Sequence, residues 1–264
     1  MPVTPFQKFL ANLISTNRTP DSYLAGGAAL NFEPNTIRYS RDLDYFHDSE
    51  KRVLSAFTED QKLLESNGLN VKIEIKIPGY IKAIVFEKNN STKLEWAHDS
   101  AWRFLPPEKK EGIGYTLHPI DLAINKLLAL AGRDEPRDFL DIHYIHENIL
   151  SLGALCWACS GKDPGFTPYS LLELLKRKGR YQQDDFKRLD LNIKIDMMKL
   201  KKDWLLMLVE AENLISRLPT EQAGCLYYNK LKNIFVTPDK NQSSKDIHIH
   251  YGVLGGILPQ ITNN

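Results

Sequence analysis

Two aspartates spaced i, i+2, Asp42 and Asp44, follow the pair Gly26-Gly27 by a short connection within the stretch YLAGGAALNFEPNTIRYSRDLDYF, Tyr23 to Phe46. Carboxylates at that spacing can act together if the chain around them is extended. A strand repeats its side-chain direction every second residue, so both would leave the same face with Cα atoms roughly 6.6 Å apart. Held that near, they repel by ~4 kcal/mol per unit-charge pair at about 4 Å in a protein-like dielectric, unless a cation or a proton intervenes. Metal is the remedy this pattern favours. A two-metal site, with ions about 3.5–4 Å apart, needs a bridging carboxylate and a third acid from a neighbouring strand. Glu95, between Leu94 and Trp96, is the candidate and Glu74 the runner-up, against the plainer reading of an exposed glutamate in a meander. Gly26 and Gly27 would let backbone N–H groups approach a phosphate at the positive end of a following helix; a tight strand-to-helix turn is the alternative. For the aspartates the alternative is a solvated strand end salt-bridged to Arg38 and Arg41. The order of glycines then acids suits a site for a nucleoside triphosphate and a divalent metal.

The elements that must position these groups are legible in outline. Thr4-Pro5 is a helix start, and Phe6, Phe9, Leu10, Leu13 and Ile14 then recur at helical spacing. Tyr23-Leu24-Ala25, the glycines and Ala28 to Asn31 read as strand, turn and helix. Ile37 to Phe46 reads as extended, and Ser49 caps a helix to about Ser66, with Val53, Leu54, Phe57 and Leu64 inward and Gly68 as its end. Val71 to Ile77 alternates without a fault; Tyr80 to Glu87 and Lys93 to Trp96 complete a meander of half-buried strands. From Pro119 the texture turns helical through Leu218. A boundary near His118 therefore separates residues 1–118, an acid-bearing core, from a mainly helical domain at 119–264. Gly161 to Pro168 reads as a loop, Asn241 to Lys245 as a mobile polar stretch, and Asp246 to His250 as a strand. The expected class is α/β (α+β): a small mixed sheet with helices on it and a mostly helical C-terminal half, the active cleft lying between them.

Composition is that of an ordinary globular chain of 264 residues, and the net charge of +1 excludes a long-range field that would draw it onto nucleic acid or an anionic membrane. The start lacks a secretory pattern and no run of ~18 apolar residues follows, so a cytoplasmic protein with no membrane partner is expected. Three cysteines, Cys156, Cys159 and Cys225, make no disulfide framework. The CxxC among them reads as buried thiols. His143 and His146, with Asp141 and Glu147, have a spacing that could take a transition metal but more often packs. Lys176, Arg177, Lys178, Arg180, Lys187 and Arg188, with Tyr181 and Phe186 interleaved, make a basic cluster that could hold an RNA backbone or be a solvated helix face diluted by Asp184, Asp185 and Asp190. Lys126 alone is an exposed lysine of an amphipathic helix, and Asp121 a helix-start acid. Arg137, Asp138 and Asp141 could be a surface network.

Four blocks in this order resemble a known family: Gly26-Gly-Ala-Ala-Leu30, Arg38-Tyr-Ser40-Arg-Asp42-Leu-Asp44-Tyr-Phe46, Asp121-Leu-Ala-Ile-Asn-Lys126, and Arg133 with Arg137-Asp138-Phe-Leu-Asp141. They look like the AbiEii/MenT-type nucleotidyltransferases of the polymerase-β-like superfamily, toxins of bacterial abortive-infection and toxin–antitoxin systems. The likeness runs from about residue 20 to 150, and more loosely through Ile215 to Tyr228. It implies a nucleotidyltransferase-type sheet and transfer of a nucleotidyl group from NTP with Mg2+, or Mn2+ in its place, held by Asp42 and Asp44. Gly26, Gly27, Arg38, Ser40 and Lys126 would serve the nucleotide, Lys126 by reaching its phosphates, while Asp121, Arg137, Asp138 and Asp141 would order the helix pair beside it. The expected acceptor is tRNA or another RNA, or a protein, with a cognate antitoxin as partner. An aminoglycoside-like small-molecule acceptor uses the same parts, and a non-catalytic nucleotide-binding or partner-binding module is the reading from another class. Ala28 departs from the family, which often has Thr or Ser directly after the glycines.

Overall fold

A computed structural model describes residues 3–32, 36–192, 194–238 and 244–260. The chain divides into two compact units. The first holds residues up to His118 together with two short returns, Asp190–Asn192 and Leu254–Gly256; the second holds the remainder.

The first unit opens with α1 (Pro5–Ile14), whose start is fixed by a reciprocal cap: the Thr4 side chain accepts from the Gln7 N–H and the Gln7 side chain accepts from Thr4 N–H. Strand β1 (Ser22–Ala25) runs straight into α2 (Gly26–Leu30). Strand β2 (Asp42–His47) and α3 (Glu50–Ser66) follow, the helix capped by the Ser49 hydroxyl accepting from Arg52 N–H. The meander β3 (Asn70–Ile77), β4 (Tyr80–Glu87) and β5 (Asn90–His98) leads through short β6 (Trp102–Arg103) to β7 (Glu108–Lys110) and β8 (Gly114–Thr116). Seven of these strands form one mixed sheet in the order β3-β4-β5-β2-β1-β8-β7. Its centre is β2, antiparallel to β1 and parallel to β5.

One face of this sheet is a dry core. Leu43, Tyr45, Ile81, Ala83, Val85, Leu94 and Trp96 are fully or almost fully buried with Val53, Phe57 and Leu64 of α3 and Leu10 and Ile14 of α1. The alternate residues on the other face are mostly half-buried and polar or aromatic, as the period of two requires. Behind the core face lies a charged knot: Arg18 donates to both oxygens of Asp60 at 2.5 and 2.6 Å, and Asp60 also accepts from Trp96 Nε1 at 2.8 Å and Asn17 Nδ2 at 2.9 Å. Arg18 stacks 4.6 Å from the Tyr45 ring. Two buried charges persist there because they pair and Asp60 accepts from three donors, while Arg18 Nε and Nη1 find no hydrogen-bond partner among the described residues. Asp60 thus ties α3 to β5 and, through Arg18, to β2.

Three expectations are corrected. Regular pairing begins at Asp42, not Ile37: the approach takes its backbone bonds from the first return, Tyr39 N donating to Asp190 O at 2.8 Å and Asn192 N to Ile37 O at 2.9 Å. Strand β3 does not alternate cleanly, because its register shifts between Ile73 and Ile75, so Ile75 pairs with Lys82 and Ile77 with Tyr80 on the face opposite Ile73. Its isoleucines are exposed, not half-buried. Leu54 is 51% exposed, and Asp60 takes an inward place on α3 instead.

The second unit comprises α4 (Pro119–Gly132), α5 (Pro136–Asn148), α6 (Leu152–Lys162), α7 (Pro168–Leu175) and α8 (Met197–Ile215), with β9 (Cys225–Asn229), β10 (Ile234–Val236) and β11 (Ile247–Tyr251). Strand β9 is central and antiparallel to both neighbours. The segment read as a loop from Gly161 is helical as far as Lys162. Residues 241–243 of the polar stretch lie outside the described residues. Among the described residues no helix is long and apolar enough to cross a membrane.

Candidate active site

The acids of β2 and β5 meet in register. Asp44 is paired with Glu95, Asp42 with Lys93, and Phe46 with Ala97 across the parallel strands. On the far side of β5, Lys82 of β4 pairs with Glu95 and Tyr80 with Ala97. Side chains at in-register positions share a face, so Asp42, Asp44 and Glu95 stand together on the face opposite the core, each half-buried. Glu74, the runner-up, makes a 3.1 Å ion pair with Lys82.

The glycine corner is built against Asp44. Gly26 adopts φ +63°, a left-handed conformation that L side chains resist, and a Cβ added there would fall on the Asp44 carboxylate. Gly27 covers a second pair: a Cβ at 27 would meet Arg38 Nη2 at 2.9 Å and Ser40 Oγ at 3.3 Å. Arg38 and Ser40 are almost fully buried, Arg38 Nη1 donating to Tyr39 O at 3.1 Å and Ser40 Oγ to Asp42 O at 3.1 Å. Gln7 fastens this approach from below, its side-chain amide donating to Ser40 O at 3.0 Å and to Thr92 Oγ1 at 3.3 Å. Ala28 is fully buried in the apolar core. Arg41, one suggested counter-ion of the acids, pairs with Asp190 at 2.8 Å, with both side chains more than half exposed.

Electrostatics mark the same spot. Partial burial, a hydrogen bond to Glu95 and the negative charges of Glu95, Asp44 and Asp42 hold the Tyr80 hydroxyl protonated far above its ordinary range. Tyr80 therefore stays protonated and able to donate to Glu95, a neighbour not foreseen from sequence. The hydrogen bond to Glu74, then the nearby carboxylates, raise the Lys82 ammonium. Among the described residues no three His, Cys, Asp or Glu side chains converge into a ready-made metal cage. Carboxylate oxygens on one face are nevertheless the donor set that suits Mg2+, which keeps several waters and is completed by substrate phosphates.

In the second unit Lys126 is 6% exposed and ion-paired to Asp141 at 2.8 Å and Asp138 at 3.3 Å, with Arg133 donating to Asp138 at 2.7 Å. The four groups lock α4 to α5. Asp121, in the first turn of α4, is fully buried. The Arg137 Nε is buried with no hydrogen-bond partner among the described residues. His143 packs edge-on to Phe139 and beside Trp204, and burial lowers its pKa to about 4. Cys156 and Cys159 are fully buried, their thiols pushed well up by burial. Three of the six residues of the basic cluster are matched by acids: Lys176 by Glu173 and Glu212, Lys187 by Asp184 and Arg188 by Glu135.

A family model described as "Nucleotidyl transferase AbiEii toxin, Type IV TA system" matches residues 8–214. None of the curated proteins matches. Among solved structures, MenT4, a nucleotidyltransferase toxin from Mycobacterium tuberculosis H37Rv, aligns at a TM-score of 0.51 and 14% identity over 82% of this chain and 83% of its own. A Helicobacter pylori protein described as a nucleotidyltransferase aligns at 0.50 and 17% identity over 81% of this chain and 96% of its own. At such identities the shared property is the fold.

Proposed function

This chain belongs to the AbiEii nucleotidyltransferase toxin family, and on that premise we propose that it transfers a nucleotidyl group from an NTP to a macromolecular acceptor, RNA such as tRNA or a protein, with a divalent ion held by Asp42, Asp44 and Glu95. The observation that carries the reading is the in-register placement of Asp44 and Glu95 beside a glycine corner that leaves room for the Asp44 carboxylate and for nothing larger than hydrogen at residue 26.

In the reaction a nucleophilic oxygen of the acceptor attacks the α-phosphorus, the bond to the bridging oxygen breaks, and pyrophosphate leaves with that electron pair. Nucleotidyl transfer asks a protein for positioning and charge neutralisation rather than for a covalent nucleophile. Mg2+, or Mn2+ in its place, would supply Lewis-acid neutralisation of the triphosphate when bound. The chain's own groups divide the remaining work. Gly26 and Gly27 give the phosphates access to backbone N–H groups, Arg38 and Ser40 brace that turn from beneath, and Tyr80 orients Glu95 by donating to it. Lys126 of the helical half, ion-paired with Asp138 and Asp141, is by the family resemblance the group that serves the phosphates, with Asp121, Arg137, Asp138 and Asp141 ordering its helix pair. An antitoxin encoded with the toxin is the expected partner, in keeping with the family's description as part of a type IV system.

The test is incubation of purified protein with α-labelled NTPs against pools of tRNA, protein and aminoglycoside, with and without a chelator. Label in RNA or protein, with pyrophosphate release abolished by chelation and by Asp44→Asn, is the expected result. Label confined to the small-molecule pool would replace the acceptor class. NTP binding indifferent to both metal and Asp42→Asn, with no transfer, would support a non-catalytic module.

A further inference from the structure

Helix α8 buries one side, including Trp204, Met207, Leu208 and Leu214, and leaves the opposite side to solvent. That outer side is apolar along its centre: Met198 is 82% exposed, Leu205 64%, and Leu206 and Val209 55% each. Positions 198, 202, 205 and 209 alternate steps of four and three, the spacing of a seam that packs lengthwise on another helix. Lys202 occupies one seam position, where a lysine fixes register at some cost in stability.

We propose that this stripe is the contact between two copies of the chain, packed antiparallel along α8 about a two-fold axis through the Leu205-Leu206 step. The edges of the stripe say which partner it fits. A 3.6-residue period sets Lys201 and Glu212 along one edge and Lys199 and Glu210 along the other, each lysine eleven residues ahead of its glutamate. A two-fold axis lays each edge on its own reversed copy, so Lys201 meets the partner's Glu212 and Lys199 meets the partner's Glu210. The two pairings are centred on either side of the Leu205-Leu206 step, within the apolar stripe. Parallel packing would instead set like charges together, which opposes association. The contact is self-complementary, as a two-fold interface must be, and extends along about 22 Å of helix. Among the described residues three of these charges have partly exposed partners, Lys199 with Asp203 at 2.6 Å, Glu212 with Lys176 at 3.0 Å and Glu210 with His146 at 3.9 Å, pairs that water weakens and a second copy can exchange.

Sedimentation velocity and light scattering of the full chain at micromolar concentrations test this. The expected mass is twice the chain's 30.2 kDa, falling to one copy in Leu205→Glu with an unchanged circular dichroism spectrum. Lys199→Glu/Lys201→Glu and Glu210→Lys/Glu212→Lys should each weaken self-association at least about tenfold, and mixing the two variants should restore it. A single-copy mass for the unmodified chain overturns the proposal. So does a dimer indifferent to Leu205→Glu and to both charge reversals.

Discussion

The Asp44 carboxylate fills the volume that a side chain on Gly26 would need. Residue 26 must therefore be glycine twice over, for its left-handed backbone and for the acid packed on it.

Gly26→Ala should accordingly cost far more than Gly27→Ala. The first adds backbone strain of about 1–2 kcal/mol to a collision with Asp44; the second meets side-chain ends, Arg38 Nη2 at 2.9 Å and Ser40 Oγ at 3.3 Å, with no left-handed backbone to strain. Turnover and thermal midpoint measured on both variants check the order. Equal losses would mean that the corner does not act through Asp44.

Asp42→Asn and Asp44→Asn should each lower nucleotidyl transfer by about 100-fold or more while leaving the unfolding midpoint level or slightly raised, because each removes like-charge repulsion from one sheet face. Steady-state rates beside calorimetric melting curves make the comparison. A midpoint that falls with the rate would assign the aspartates to structure.

Tyr80→Phe deletes the donor to Glu95 and keeps the ring. A lost hydrogen bond to a charged group is worth about 1.5–3 kcal/mol, so activity should fall by roughly ten- to a hundredfold with the larger change in kcat. If Glu95 plays no part, the rate stays put.

Lys126→Met removes the cation shared by Asp138 and Asp141, both almost fully buried. Breaking a buried pair should destabilise the protein by about 3 kcal/mol or more, visible in urea unfolding. Lys126→Arg separates the proposed role at the phosphates from this structural one: near-normal stability with a raised KM for NTP is the expected outcome.

Stability should decline on acidification through the histidine range. Burial lowers His143 to about 4, against the field of Asp203 and with His146 and Lys199 adding to it; burial, then Arg18 and Arg52, lower His47 to about 3, against Asp21. Both are neutral when folded and titrate near 6.5 when unfolded, so below about pH 6.5 the unfolded chain binds more protons. Each histidine then removes up to about 1.4 kcal/mol per pH unit until its folded pKa is reached. Denaturant unfolding at pH 7 and pH 5, with His143→Phe flattening the difference, checks the sign.

The local geometry of the candidate site was legible in the sequence, because strand period and glycine permissiveness are local properties. Asp42 and Asp44 share a face and Gly26 turns β1 into α2, as their spacing and type require. The pairing of Glu95 with Asp44 followed only in part: its neighbours marked a strand, but register is decided by contacts remote in sequence. The same limit explains the misread start of β2, whose approach borrows backbone partners from Asp190–Asn192. A period count cannot foresee the shift at Glu74, since one extra residue inverts every side chain beyond it. The Arg18 and Asp60 pair left a faint signal, an aspartate on the apolar stripe of α3 with Val53, Phe57 and Leu64. Tyr80 left none, because its proposed role depends on a neighbouring strand.

The borrowed partners of residues 37–41 also set an order of events during synthesis. Until Asp190–Asn192 have emerged from the ribosome, the chain entering Asp42 lacks two of the backbone hydrogen bonds that fix it, although Asp42, Asp44 and Glu95 have long since been made. The acids are thus complete early and braced late, and a product that stops before Asp190 never gains that brace.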